Sequence, residues 1–144
     1  MIYVDSSCLL KLLLEEPESE AVRQAVAAED DVAVSVLVDL EARVQLRAGW
    51  LGGRLRPGRY RGYLAQLDAF RKTEPFRFVT LPGAVFLTAI RQHQTARNVH
   101  VRSLDQLHLA AMAELRLRRL MTTDAVQAAG ARALGFDVVI PTSA

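Results

Sequence analysis

The chain has 144 residues, 51% of them hydrophobic and 24% charged, with a net charge of +2. That is the size of one domain, able to bury about 70% of its unfolded surface without staples, and the composition excludes a disordered or fibrous chain. A single cysteine, Cys8, excludes an internal disulfide and fits a reducing compartment. No basic segment followed by a long apolar run opens the chain, so no signal peptide is expected. Leu9 to Leu14 is short and interrupted by Lys11, which argues against a transmembrane helix. The expectation is a cytoplasmic protein with no membrane partner.

Ile2 to Val4 reads as a buried strand and Ser7 to Leu14 as a helix that ends before Pro17. Pro17 can open the next helix, with Ala21, Val22, Ala25 and Val26 at helical spacing. Asp30 and Asp31 punctuate, and Val32 to Ser35 is a second strand. Leu37 to Trp50 is helical, the Gly-Arg-Pro-rich stretch 52–58 breaks it, and a further helix covers 58–72. Then come a strand over Phe76–Val79, a helix over Gly83–Arg97 and a helix over Leu104–Leu117. Leu120–Thr122 is a short strand, Ala125–Leu134 a helix and Val138–Ile140 a last strand. Short apolar strands alternating with longer helices predict an α/β fold, a short central parallel sheet flanked by helices in three layers. Right-handed crossovers then bring the C-terminal strand ends to one edge, where open α/β sheets place their sites.

Four carboxylates stand out against that frame. Asp5 follows the first strand, where a helix cap is the plain alternative. Glu41 shares a helix stripe with Leu37, Val44 and Ala48, an otherwise apolar face on which a buried charge needs a partner. Asp39, two residues earlier, reads as a surface pair with Arg43. Asp105 lies in the first turn of a helix that is apolar on nearly all sides, with Ser103 and Gln106 as a capping box. Asp124 follows the strand ending at Thr122, and there too a cap is the alternative. Were all four to converge within about 5–6 Å, each pair would repel by roughly 3 kcal/mol at an effective dielectric near 20. Such a cluster protonates or takes up a divalent cation, and an all-oxygen donor set suits Mg²⁺ or Mn²⁺. His93, His100 and His108 form no metal-binding pair, and His108 reads as a packed core residue. Ser6 or Ser7 is placed to donate to a carboxylate or to cap.

Six arginines, Arg43, Arg47, Arg54, Arg56, Arg59 and Arg61, fall within nineteen residues, interleaved with Trp50 and Tyr60. Arginine with aromatics can hold phosphates and stack bases. Against this, arginine outnumbers lysine sixteen to two along the whole chain, which also fits a compositional bias. No phosphate-loop or dinucleotide glycine pattern is present.

The segments YVDSSCLLKLLLEE, SVLVDLE, SLDQLHLAAM and TTDAVQAAGARALGFDVVIP resemble, in order and from end to end, those of PIN-domain proteins. The resemblance is to the small VapC-type toxins of type II toxin–antitoxin systems. It implies a single PIN domain over 1–144 and an acidic quartet at Asp5, Glu41, Asp105 and Asp124, which serve as metal ligands and catalytic groups. Ser6 and Thr122 correspond to the accompanying polar residues. The implied activity is a Mg²⁺- or Mn²⁺-dependent endoribonuclease in which metal-activated water cuts RNA, leaving a 5′-phosphate and a 3′-hydroxyl. Implied partners are the RNA substrate, a cognate VapB-type antitoxin and a second copy in a homodimer. Arg54, Arg56 and Arg59 are then candidates for binding RNA. Gln106 stands where alanine is common, and Thr123 where an aromatic often precedes the aspartate. The alternatives are a PIN nuclease that processes RNA without an antitoxin, and an inactive RNA- or protein-binding module, which would not need four acids. A haloacid-dehalogenase-type phosphatase would need an aspartate at position 7, which is Ser7.

Overall fold

The computed structural model describes residues 1–95 and 99–142. Its elements are β1 (Ile2–Val4), α1 (Ser6–Leu13), α2 (Ser19–Ala27), β2 (Val32–Ser35), α3 (Val36–Leu51) and α4 (Pro57–Phe70). They continue through β3 (Phe76–Val79), α5 (Val85–Thr95), α6 (Ser103–Glu114), β4 (Arg119–Met121), α7 (Ala125–Ala133) and β5 (Asp137–Val139). The strands form one parallel sheet in the order β3-β2-β1-β4-β5, flanked by helices, as expected. β1 is the central strand and is wholly buried, which is why it reads as a continuous apolar run. From β1 the chain winds outward in one direction through β2 and β3, then returns to its other side through β4 and β5. The reversal makes the C-terminal end of the β1/β4 pair a topological switch point, the place where open α/β sheets leave a crevice.

Element boundaries fall close to those expected, with instructive exceptions. α2 begins at Ser19 rather than Pro17, because Ser19 Oγ donates to Leu14 O at 2.7 Å and accepts from the Glu16 N–H at 2.9 Å. That local bonding holds 15–18 out of the helix, with a turn at 17–18. The expected capping box at Ser103 does not form: Arg102 is the N-cap residue and has no side-chain cap. Gln106 instead reaches across to α5, donating to Gln92 Oε1 at 3.1 Å. α6 stops at Glu114, short of Leu117, because Arg116 adopts φ 59° and the Leu117 N–H closes onto Met112 O at 2.8 Å. Of the helix expected over Gly83–Arg97, residues 96 and 97 lie outside the described residues.

Two contacts hold elements around the sheet together, the second of them at its N-terminal edge. Gly130 on α7 sits against Val101, where an added Cβ would lie 2.8 Å from Val101 Cγ2, so α7 packs close to the segment entering α6. Glu29, before β2, takes both Arg119 guanidinium nitrogens, at 2.7 and 2.8 Å, and so ties that turn to β4. The hydrogen bonds from Arg119 hold the Glu29 carboxyl below its usual range. Its contribution is therefore full above the ordinary glutamate pKa and fades as pH falls through the lowered folded value. Glu29→Gln is expected to cost about 1 kcal/mol at pH 7, small because Arg119 stays well solvated. Urea denaturation should show that difference vanishing in strong acid.

Candidate active site at the C-terminal sheet edge

Asp5 is placed by the β1-to-α1 turn. It caps α1, accepting from the Cys8 N–H at 3.2 Å, and it accepts from Ser7 Oγ at 2.6 Å and from Thr122 Oγ1. Only 5% of the residue is exposed, and its hydrogen-bond donors are all neutral. Burial pushes its pKa up, opposed by the bonds from Ser7, Thr122 and Cys8. A buried carboxylate with neutral partners is a costly arrangement, and a cation beside it would relieve that cost.

Asp124 sits across the β1/β4 pair. It caps α7, its Oδ1 accepting from the Val126 N–H at 2.8 Å and the Gln127 N–H at 3.2 Å. Thr122 Oγ1 joins the two acids, donating to Asp5 and accepting from the Asp124 N–H at 3.0 Å. Ser7, rather than Ser6, is the serine built into this cluster: its Oγ bonds Asp5 and accepts from the Thr123 N–H at 3.0 Å. Ser6 opens α1 and makes no side-chain hydrogen bond among the described residues.

Glu41 is reached by a different route from the one its sequence stripe implied. The buried stripe of α3 is Val38, Ala42, Leu46 and Gly49, while Val44 is 57% exposed and Ala48 is exposed. Glu41 is half-buried nonetheless, because Oε1 meets His108 Nε2. Asp39, expected at the surface, is buried. It pairs with Arg43 at 2.9 Å as its spacing foretold, and also with Arg71 at 2.5 Å. α3 is apolar on two sides, so periodicity alone did not say which side faces the core.

Asp105 lies in the first turn of α6, its Oδ2 taking Arg102 Nε at 3.3 Å. Its carbonyl accepts from Gln127 Nε2 at 3.2 Å, which ties α6 to the start of α7. Among the described residues, no three histidine, cysteine, aspartate or glutamate side chains are gathered so as to hold a metal. The four acids are thus parcelled out to neutral donors, a histidine, an arginine and a helix N-terminus, an arrangement that limits mutual repulsion. Their chemistry still fits a hard cation: every donor is oxygen, Asp5 lacks a cationic hydrogen-bond partner, and Gln127 Oε1 is buried with no partner among the described residues.

Sequence reading missed the role of Tyr3 and His108. Tyr3 Oη lies 2.8 Å from Ser35 Oγ and 2.7 Å from His108 Nδ1. The signal was present in IYV, since a tyrosine within a buried strand has to find a partner for its hydroxyl.

Farther along α3, Trp50 stacks on Tyr60 at 4.9 Å and 8° between planes, Arg47 lies over Trp50, and Arg59 lies over Tyr63. Arg54, Arg56 and Arg59 are exposed and form no ion pair among the described residues, whereas Arg43 is taken by Asp39 and Asp68. A groove of about 610 Å³ runs between α5 and α6, lined by Phe86, Ile90, Val101, Arg102 and Leu107. No described helix is long and apolar enough to cross a membrane.

The PIN domain family model matches residues 2–133. The chain is 34% identical to a protein named Ribonuclease VapC47 from Mycobacterium tuberculosis, covering 98% of this chain and 97% of the relative. Its fold is similar to that of M. tuberculosis VapC20, described as a Sarcin-Ricin loop cleaving toxin (TM-score 0.71, 17% identity, 94% and 96% coverage). It is also similar to VapBC2 from Rickettsia felis, solved bound to a DNA fragment from their promoter (TM-score 0.70, 11% identity, 97% and 98% coverage).

Proposed function

The chain belongs to the PIN-domain family, and on that premise we propose that it is an endoribonuclease acting as the toxin of a toxin–antitoxin pair, one PIN domain spanning 1–144. The name of its 34% identical relative supports ribonuclease activity, and the VapBC assembly among its structural neighbours supports an antitoxin partner. The observation that carries the reading is the pair Asp5 and Asp124 flanking the β1/β4 switch point, joined through Thr122.

Asp5, Glu41, Asp105 and Asp124 are the residues that would hold Mg²⁺ or Mn²⁺. Such an ion, when bound, lowers the pKa of a water and neutralises charge on the phosphate. The chain's own groups do the rest. Thr122 and Ser7 fix the Asp5 carboxylate, and the first turn of α7 fixes that of Asp124. A VapB-type antitoxin segment or a second copy of the chain would cover the exposed apolar residues Phe86, Leu87 and Ile90 beside the α5/α6 groove. Sequencing of RNA 5′ ends after expression tests the activity. Discrete new 5′-phosphate ends are expected, and their absence at every site would remove the proposal.

Arg54, Arg56 and Arg59 are exposed and without an ion pair among the described residues, which leaves them able to meet RNA phosphates near the Trp50–Tyr60 stack. Changing all three to alanine is expected to lower the slope of log affinity against log salt by about 2, close to 0.7 per lost phosphate contact on a single strand. An unchanged slope would show that these arginines do not face RNA. Trp50 is the only tryptophan, so its fluorescence reports on the same surface.

A further inference from the structure

We infer that Ser35, Tyr3 and His108 form a hydrogen-bonded relay that positions the Glu41 carboxylate, with His108 the positioning residue that touches it. The inference rests on the metal-site reading above and adds residues to it. The relay crosses four elements: Ser35 ends β2, Tyr3 is on β1, His108 on α6 and Glu41 on α3. Tyr3 and Ser35 are fully buried and His108 is 1% exposed, so their polar atoms must find partners within the protein.

One proton order satisfies every member. A carboxylate oxygen accepts, which gives His108 Nε2–H the donor role toward Oε1. In that tautomer Nδ1 is the acceptor, and Tyr3 Oη donates to it across 2.7 Å. Tyr3 Oη in turn accepts from Ser35 Oγ at 2.8 Å, and Ser35 Oγ accepts from the Val38 N–H at 3.2 Å. The chain of donors runs from the α3 N-terminus through the sheet and back to α3, with no unused proton.

What this does for Glu41 follows from where Glu41 sits. Its stripe on α3 is not the buried one, and a glutamate there has three side-chain torsions to explore. The relay fixes Oε1 and leaves Oε2 with no protein hydrogen-bond partner among the described residues. A carboxylate held by one oxygen and open at the other is suited to ligate a cation, and outer partners of this kind commonly alter metal affinity 10- to 100-fold. A merely structural role for Tyr3 and His108 would change folding stability and leave metal affinity alone.

The test is Mn²⁺ binding by the full chain without RNA, followed by the electron paramagnetic resonance of free Mn²⁺. His108→Leu is expected to weaken binding about tenfold or more, and Tyr3→Phe about threefold. His108→Gln, which keeps an N–H near the position of Nε2, should restore most of the affinity. Unchanged binding in Tyr3→Phe and His108→Leu overturns the inference while upholding the metal site, as does equal weakening by Gln and Leu. If His108→Leu does not fold, Tyr3→Phe decides alone. A parent chain that binds no Mn²⁺ overturns the metal-site reading and this inference with it. In the metal-free parent, ¹⁵N NMR should find His108 protonated at Nε2, and protonation at Nδ1 alone would reverse the relay and refute it.

Discussion

Asp5→Asn is expected to lower RNA cleavage by on the order of 10³-fold while making the metal-free protein more stable at neutral pH. Both effects come from one fact, a carboxylate 5% exposed and met only by neutral hydrogen-bond donors. Burial raises its pKa in the folded chain. Below the ordinary aspartate pKa both folded and unfolded chains hold the proton, and Asp5 carries no penalty. As pH rises toward the raised folded value, ionisation favours the unfolded chain, and above it the penalty is complete. Asparagine never ionises and can still accept from the Cys8 N–H as a cap, and the Ser7 and Thr122 hydroxyls can rotate to suit it. The gain should therefore be absent in acid and grow toward neutrality, read by urea denaturation in EDTA at several pH values. A variant that cleaves RNA at the parental rate would remove Asp5 from the chemistry.

Asp124 offers the second large effect and a direct contest between capping and catalysis. Its Oδ1 accepts from two backbone N–H groups of α7, which a neutral amide oxygen can also do. Asp124→Asn should keep stability within about 0.5 kcal/mol of the parent, whereas Asp124→Ala should lose about 1 kcal/mol with the cap. Cleavage should fall about 100-fold or more in both, because neither supplies a negative charge. If the asparagine variant keeps parental activity, Asp124 is a helix cap and nothing more.

Much of the fold was legible because its strands are short apolar runs set between periodic helices. All five expected strands are present within a residue or so, and the parallel sheet follows. Asp5 and Asp124 stood out for the same reason, Asp5 directly after β1 and Asp124 three residues beyond the end of β4. Glu41 was singled out for a stripe that is not the buried one. α3 is apolar both inside, at Val38, Ala42 and Leu46, and outside, at Val36, Leu40 and Val44, so its period did not mark the inward side. The same ambiguity put Asp39 at the surface, where the structure buries it between Arg43 and Arg71. Ser103 and Gln106 satisfied a capping rule that is purely local, and Gln106 was drawn instead to Gln92 on a neighbouring helix. Tyr3 and His108 meet across 105 positions, a contact that no local pattern records.

If Asp5, Glu41, Asp105 and Asp124 make one metal-dependent hydrolytic site, cleavage must follow the ion. The most direct measurement is cleavage of a defined RNA by the purified chain in Mg²⁺, in excess EDTA, and after Mg²⁺ is restored. Cleavage is expected in the first, none in the second and recovery in the third, with 5′-phosphate and 3′-hydroxyl ends throughout. Cleavage that persists in EDTA, or that leaves a 2′,3′-cyclic phosphate, would contradict it.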